Sequence, residues 1–337
     1  MSADLEKISF IGLGTMGLPM STRLIEAGYV VSGFDIDKST EQALAARGGH
    51  LDFPDPAAAS ADADLVICSL PNSSHVEEAL AGPNGTFTTA APGTLILDMS
   101  TISPNTSRAL GVAAAERGLR FADAPVSGSS EGAEAGTLTI MVGAEAETFE
   151  ALEKPLSILG RNVIHVGPVG AGESIKLLNN LLAAVNMATV AEAYALAAKA
   201  GVDFATFHRV VSTATGDSWM LRNRFPVAGI GPEGPVDRDY APGFATRLMR
   251  KDLDLVREFA TEVGSTVPLA AAVREMCEAV IINGWGELDF SALAKLYELT
   301  TGCNRARPQP LESQSDRSRG SRIYPSPLAL TRHSAVT

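Results

Sequence analysis

From the N-terminus to about residue 167, short apolar runs alternate with amphipathic stretches, the pattern of β-α-β units wound around a parallel sheet. The runs at 8–11, 30–35, 65–70, 94–98, 121–124, 138–142 and 163–166 are rich in Ile, Val, Leu and Phe, which suits strands buried on both faces. Helical stretches lie between them, at 104–117 and 146–158 for example. The pattern changes after Gly167. Good helix formers run from 173 to 200 without Gly or Pro and stop at Gly201. Ala188, Ala191, Ala195 and Ala198 recur there at three- and four-residue steps, giving one narrow face for close helix packing. Further helices are expected at 204–214, 246–263, 269–282 and 291–299, with no strand among them. This predicts an α/β nucleotide-binding domain over 1–167 and an all-helical domain over 168–302, joined by one long helix. Over 303–337 periodicity gives way to Arg, Ser and Pro, so a disordered tail is expected. The loop at 226–243, rich in Pro, Gly and Asp, is long enough to suggest a functional role.

Composition narrows the function. At 337 residues, 45% of them hydrophobic, the chain has room for two cores. A net charge of -12 argues against a nucleic-acid partner, although six Arg follow Cys303 against only Glu312 and Asp316. Cys68, Cys277 and Cys303 are scattered and form no CxxC pair, so neither a disulfide framework nor a metal site is expected. The N-terminus lacks the apolar stretch of a secretory signal, and no run was expected to reach the ~18 to 20 apolar residues of a membrane span. A cytoplasmic protein without membrane attachment is the expectation.

The first apolar run leads straight into Gly12-Leu13-Gly14-Thr15-Met16-Gly17, followed by a helical stretch. In such a turn Gly12 permits the tight bend, Gly14 lets a pyrophosphate approach the backbone, and Gly17 lets helix and strand pack closely. The helix start then offers free N–H groups to phosphate. Alternatively, the glycines serve only to turn the chain. Asp35 ends the second run, 18 residues after Gly17, where a carboxylate accepts hydrogen bonds from ribose hydroxyls and repels a 2′-phosphate. NAD is therefore expected over NADP, unless Asp35 merely caps the strand. Leu70-Pro71 and Thr101 close two further apolar runs at the edge where open sheets bind ligands. Thr101 suits a cofactor contact and a helix cap equally well.

Two segments carry candidate chemistry. Lys176 and Asn180 are four residues apart on the long helix and share a face. With Leu177, Leu178, Leu181 and Leu182 around it, an apolar setting would lower the Lys176 pKa toward general acid–base work, unless the side chain snorkels to solvent. The stretch Asp123-Ala124-Pro125-Val126-Ser127-Gly128-Ser129 reads as a strand end followed by a loop offering N–H groups and a hydroxyl to a carboxylate, or as a surface turn.

Taken in order, the segments at 12–20, 123–128, 136–144, 170–180 and 251–255 are similar to the β-hydroxyacid dehydrogenase family over roughly residues 8–299. That family includes 3-hydroxyisobutyrate dehydrogenases and tartronate semialdehyde reductases. The resemblance implies a Rossmann-type domain and hydride transfer between a nicotinamide and C3 of a small 3-hydroxy acid. It implies Lys176 as general acid/base, Asn180 orienting the hydroxyl, and Ser127 and Gly128 holding the carboxylate. Lys251 would close over the nicotinamide, and Leu70, Pro71 and Thr101 would contact the cofactor. Trp219 and Phe244 would wall the pocket, although Trp219 also suits an ordinary core position. A homodimer or homotetramer is expected. One position departs from the hydroxyisobutyrate branch, which usually carries a Tyr where this chain has Arg224. The run 218–224 is more similar to relatives acting on sugar acids such as threonate. Arg224 is thus a candidate for the substrate pocket, or else it points to solvent or pairs with Glu233 or Asp237. A 6-phosphogluconate dehydrogenase would carry His at the position of Asn179, an imine reductase typically lacks the lysine, and non-catalytic relatives have lost it.

Overall fold

The computed structural model describes residues 5–302, so the predicted tail lies outside the described residues. Eight strands form one sheet: β1 (Lys7–Ile11), β2 (Val30–Phe34), β3 (Leu65–Cys68), β4 (Leu95–Asp98), β5 (Arg120–Asp123), β6 (Val126–Ser127), β7 (Leu138–Gly143) and β8 (Gly160–Gly167). Their order is β2-β1-β3-β4-β5-β7-β6, with β8 also paired to β7. Helices α1 (Gly17–Glu26), α2 (Lys38–Ala45), α3 (Pro56–Ser60), α4 (Ser73–Ala81), α5 (Pro104–Ala115), α6 (Ser129–Ala135) and α7 (Ala146–Leu159) connect the strands. Because β1 to β5 are parallel, every one of these strands ends at the same edge, and the order reverses between β1 and β3. Such a reversal opens a crevice outside the strand ends.

The expected all-parallel sheet holds only to β5. β7 runs antiparallel to β5, and β6 antiparallel to β7. The segment after β5 spends its residues on β6 and the short α6, so the chain re-enters the sheet from the end where β5 finished. A parallel return needs a full crossover of a dozen or more residues. The stretch read as a loop after Asp123 therefore holds the two-residue β6 and the start of α6. Nor is every strand buried on both faces: in β8, Arg161, Asn162, Ile164 and His165 are exposed.

The sheet core, with Phe10, Ile67, Leu97, Ile140 and Leu156 fully buried, lies between the strands and their helices. A second core gathers on α8 (Ala171–Ala200), where Leu177, Met187, Ala191 and Tyr194 are fully buried. Around α8 stand α9 (Phe204–Val211), α10 (Trp219–Asn223), α11 (Thr246–Glu262), α12 (Pro268–Val280) and α13 (Leu293–Thr301). Contrary to the expectation from sequence, α8 is long and apolar enough to cross a membrane by length and composition. Its apolar content instead fills the core of the helical half. A second correction concerns Leu178 and Leu182, which are 48% and 63% exposed and so do not surround Lys176. They fall with Ile175 and Leu196 on the face of α8 turned away from the other helices.

The 226–243 loop is not structureless. Val227, Val236 and Tyr240 enter the helical core, and a 3-10 turn spans Pro235–Arg238. Asp237 holds the loop from inside, accepting from the N–H groups of Gly229 and Gly234 at 2.9 and 2.8 Å.

Candidate active site

The glycine turn emerges from β1 into the crevice. Gly12 has φ 93, and a side chain there would meet Ser69 O at 2.4 Å. A Cβ on Gly17 would lie 1.9 Å from Gly12 O, so only glycine lets α1 start this close to the strand. Thr15 and Gly14 are exposed, and no protein atom comes within 4 Å of a Cβ built on Gly14. Met16 stands at the N-cap of α1 with no side chain bonded to the free N–H groups of the first turn. Asp35 leaves the end of β2 and accepts from Leu13 N–H at 2.6 Å and Asp37 N–H at 2.8 Å. These bonds fix the carboxylate beside the turn. The first cation after it, Lys38, is bonded to Glu41 at 2.8 and 2.9 Å. An open glycine turn, bare helix N–H groups and a fixed acid at the second strand end fit the diphosphate and ribose of a dinucleotide.

Leu70 and Pro71 follow β3, and Leu70 N–H donates to Ser100 Oγ at 2.9 Å, tying together the turns after β3 and β4. Thr101 is in the second of these turns. Its carbonyl accepts from Lys251 Nζ at 2.6 Å, so α11 reaches across to the strand ends. Lys251 also pairs with Asp252 at 3.0 Å. The other Asp252 oxygen accepts from Asn180 Nδ2 at 2.5 Å. One polar chain thus joins Thr101 on the sheet edge to Asn180 on α8.

One turn before Asn180 is Lys176, only 7% exposed. Among the described residues its ammonium makes no hydrogen bond and no ion pair; its neighbour is the Phe244 ring, 6.0 Å from Nζ to centroid. Burial pushes the Lys176 pKa below its ordinary value, against the opposing pull of Asp252 and Glu173. Phe244 leans on Phe290 and is held through its N–H by Asp289 at 3.1 Å. Ser127 and Gly128 lie on β6 and in the turn into α6, where the Ser127 hydroxyl has no bond to any described residue. Neither bonds to Lys176 or Asn180. Trp219, at the start of α10, is 52% exposed and so is no core aromatic. Arg224 is half-buried with its guanidinium 5.2 Å from the Trp219 ring, and it pairs with neither Glu233 nor Asp237.

Three acids in the site region stand out only in the structure. Asp123 accepts from the N–H groups of Gly170 and Glu173 at 2.6 and 2.8 Å, and so caps the helix that carries Lys176. Glu173 is fully buried and accepts from Ile102 N–H at 3.2 Å, joining the β4 turn to α8. Asp98 is also fully buried, with Ser100 N–H at 3.0 Å from Oδ1. Burial pushes Asp98 and Asp123 up to about 6 and raises Glu173 as well. The available signal for Asp98 and Asp123 was a carboxylate ending a strand behind apolar residues, in LILD and RFAD.

Fold and site together define an NAD(P)-binding oxidoreductase: a nucleotide crevice on one side, and a buried lysine on the helical side. Residues 7–167 match the family described as the NAD binding domain of 6-phosphogluconate dehydrogenase. Residues 170–297 match the NAD-binding domain of NADP-dependent 3-hydroxyisobutyrate dehydrogenase. The NAD-dependent L-serine dehydrogenase of Pseudomonas aeruginosa is 41% identical, covering 88% of this chain and 100% of that protein. The 2-(hydroxymethyl)glutarate dehydrogenase of Eubacterium barkeri is 39% identical, covering 88% and 96%. The solved structure of Mycobacterium tuberculosis 3-hydroxyisobutyrate dehydrogenase with L-serine is 37% identical at a TM-score of 0.81, covering 87% of this chain and 99% of that one. The chain belongs to the β-hydroxyacid dehydrogenase family.

Proposed function

We propose that this protein is an NAD-dependent dehydrogenase acting on the C3 hydroxyl of a small 3-hydroxy acid, in the manner of 3-hydroxyisobutyrate dehydrogenase. The observation that carries the reading is Lys176, a buried amine without an ion-pair partner, one helical turn from Asn180 and facing an aromatic ring. A lysine so placed has its charged form disfavoured, and as neutral amine it takes the proton of the substrate hydroxyl. Asn180, held by Asp252, orients that hydroxyl. The free Ser127 hydroxyl and the Gly128 backbone receive the carboxylate. A nicotinamide held in the crevice would supply the acceptor for the hydride of C3. Gly12 to Gly17 and Asp35 hold the dinucleotide, Leu70, Pro71 and Thr101 line its path, and Lys251 fastens α11 over it. In the reduction direction the protonated Lys176 returns the proton to the carbonyl oxygen.

NAD is favoured by Asp35, whose fixed carboxylate repels a 2′-phosphate, and by Lys38, which is occupied by Glu41. Arg224 in the pocket region supports a second reading of the substrate, a more polar acid such as tartronate semialdehyde or threonate. We take the enzyme to be soluble and cytoplasmic, and a homodimer or homotetramer whose subunits meet on the exposed α8 face at Ile175, Leu178 and Leu182. A panel of 3-hydroxy acids with NAD and NADP, followed by the absorbance of reduced nicotinamide, tests the reading. Turnover of at least one acid with NAD is expected. Silence across the panel with both cofactors, or a clear preference for NADP, would contradict it.

A further inference from the structure

Acids on the segments around Arg224 pair elsewhere. Asp217 pairs with Arg222 at 3.3 Å. Glu131 pairs with Arg238 at 3.1 Å and takes the Ser129 hydroxyl. Both oxygens of Asp237 are occupied by the loop N–H groups of Gly229 and Gly234. Asp289 receives the N–H groups of Gly243, Phe244 and Ser291 and the Ser291 hydroxyl. Arg224 has none of them. Its one side-chain hydrogen bond among the described residues runs from Nη1 to Asn223 O, at 3.3 Å, and Nε is buried with no acceptor. A half-buried guanidinium without an ion pair is costly to hold, and the cost is recovered when an anion pairs with it.

The surroundings say where that anion would sit. A Cβ built on Gly243 would lie 3.4 Å from Arg224 Nη2, 3.6 Å from Ser129 Cβ, and 3.5 Å from Asp289 Oδ2, which is held by the Gly243 and Phe244 N–H groups. The next residue is Phe244, whose ring is the neighbour of Lys176 Nζ. Guanidinium and buried lysine are therefore reached from adjacent residues of one segment. Ser129 directly follows the Ser127–Gly128 pair. The half-exposed Trp219 ring lies 5.2 Å from the guanidinium carbon, within cation–π range.

We propose that Arg224 binds a second carboxylate of the substrate, so that the enzyme acts on dianionic 3-hydroxy acids. This rests on the function proposed above. Ser127 and Gly128 take the C1 carboxylate, attached to C2, and the planar fork of Arg224 takes the distal one, a geometry that suits two parallel N–H···O bonds. A methyl group at the same place would leave the guanidinium without an anion.

The test compares three substrates that differ only at the distal group: 2-(hydroxymethyl)butanedioate, its distal amide, and 3-hydroxyisobutyrate, which carries a methyl there. The unmodified enzyme should show its highest kcat/KM on the dianion. In Arg224→Gln the ratio of kcat/KM for the dianion to that for 3-hydroxyisobutyrate should fall by roughly 10- to 150-fold, the worth of a charged hydrogen bond, chiefly through KM. Arg224→Lys, which keeps the charge without the fork, should fall between. Should the variants fold poorly, the unmodified enzyme alone decides: the unreactive 2-methylbutanedioate should inhibit competitively at concentrations where isobutyrate does not. Equal inhibition by the two, a preference for the amide or the methyl compound, or an unchanged ratio in Arg224→Gln overturns the assignment while leaving the dehydrogenase reading intact. Absence of turnover on all three and on the wider panel overturns both.

Discussion

Lys176 is held by what surrounds it rather than by any bond of its own. Leu177 beside it anchors α8 in the helical core, and Asp123 caps the first turn, so the amine is presented from a fixed scaffold. Because burial lowers its pKa, the neutral base becomes available below the pH at which an exposed lysine titrates. In the oxidation direction kcat/KM should rise with pH through that lowered value, and the reverse reaction should fall through it; a flat profile in both directions would remove Lys176 from the proton step. Asp35 makes a second residue-scale prediction. Asp35→Ala removes the repulsion toward a 2′-phosphate and the anchor on Leu13, so the NAD-to-NADP ratio of kcat/KM should drop; an unchanged ratio would show that another group selects the cofactor. The places of Lys176 and Asn180 on one helix face and of Asp35 at a strand end were legible from spacing, while the role of Asn180 is what the family resemblance implies. Asp98, Asp123 and Glu173 were not, since a carboxylate at a strand end or a helix start is ordinarily solvated, and only packing shows these three to be buried.

At the scale of elements, the strand ends and the start of α8 share a cluster of buried carboxyl groups. The folded-state pKa values of Asp98 and Asp123 lie above their unfolded ones, at about 6 against 3.8. The stability they contribute is fully present below pH 3.8 and is lost as pH rises through about 6. Thermal unfolding should therefore show the melting temperature declining between about pH 4 and 6 relative to Asp98→Asn, in which that group no longer titrates. Parallel curves for the two proteins would mean that Asp98 does not change charge on folding in this range. The same scale shows where sequence reading reached its limit. Strands β1 to β5 announce themselves by predominantly apolar runs, and helix α8 by long uninterrupted helix propensity. β6 is two residues long and pairs only with β7, so its existence depends on partners far along the chain. α6 starts at Ser129 in a left-handed conformation, which no local propensity favours.

On the scale of the whole molecule, the long helix does two jobs. Its inner face closes the helical core and carries Lys176 and Asn180, while its outer face leaves Ile175, Leu178, Leu182 and Leu196 in contact with water. Aligned exposed leucines on one helix face favour burial against another subunit. Leu182→Glu should shift the protein to a smaller species in light scattering, and an unchanged mass would place the subunit contact elsewhere. The two-part architecture was legible from the change of periodicity after Gly167, because a sheet and a helical bundle demand different repeats of apolar residues. The links between the halves, Lys251 to Thr101 and Glu173 to Ile102, were not, because they depend on the approach of residues 150 and 71 positions apart. The central claim is that this approach assembles a lysine-driven dehydrogenase, and the most direct measurement is turnover by Lys176→Ala on the best substrate, with NAD binding measured alongside. Turnover should fall by about 10²- to 10⁴-fold while the dissociation constant for NAD stays nearly unchanged; a variant that keeps most of its turnover would contradict the account.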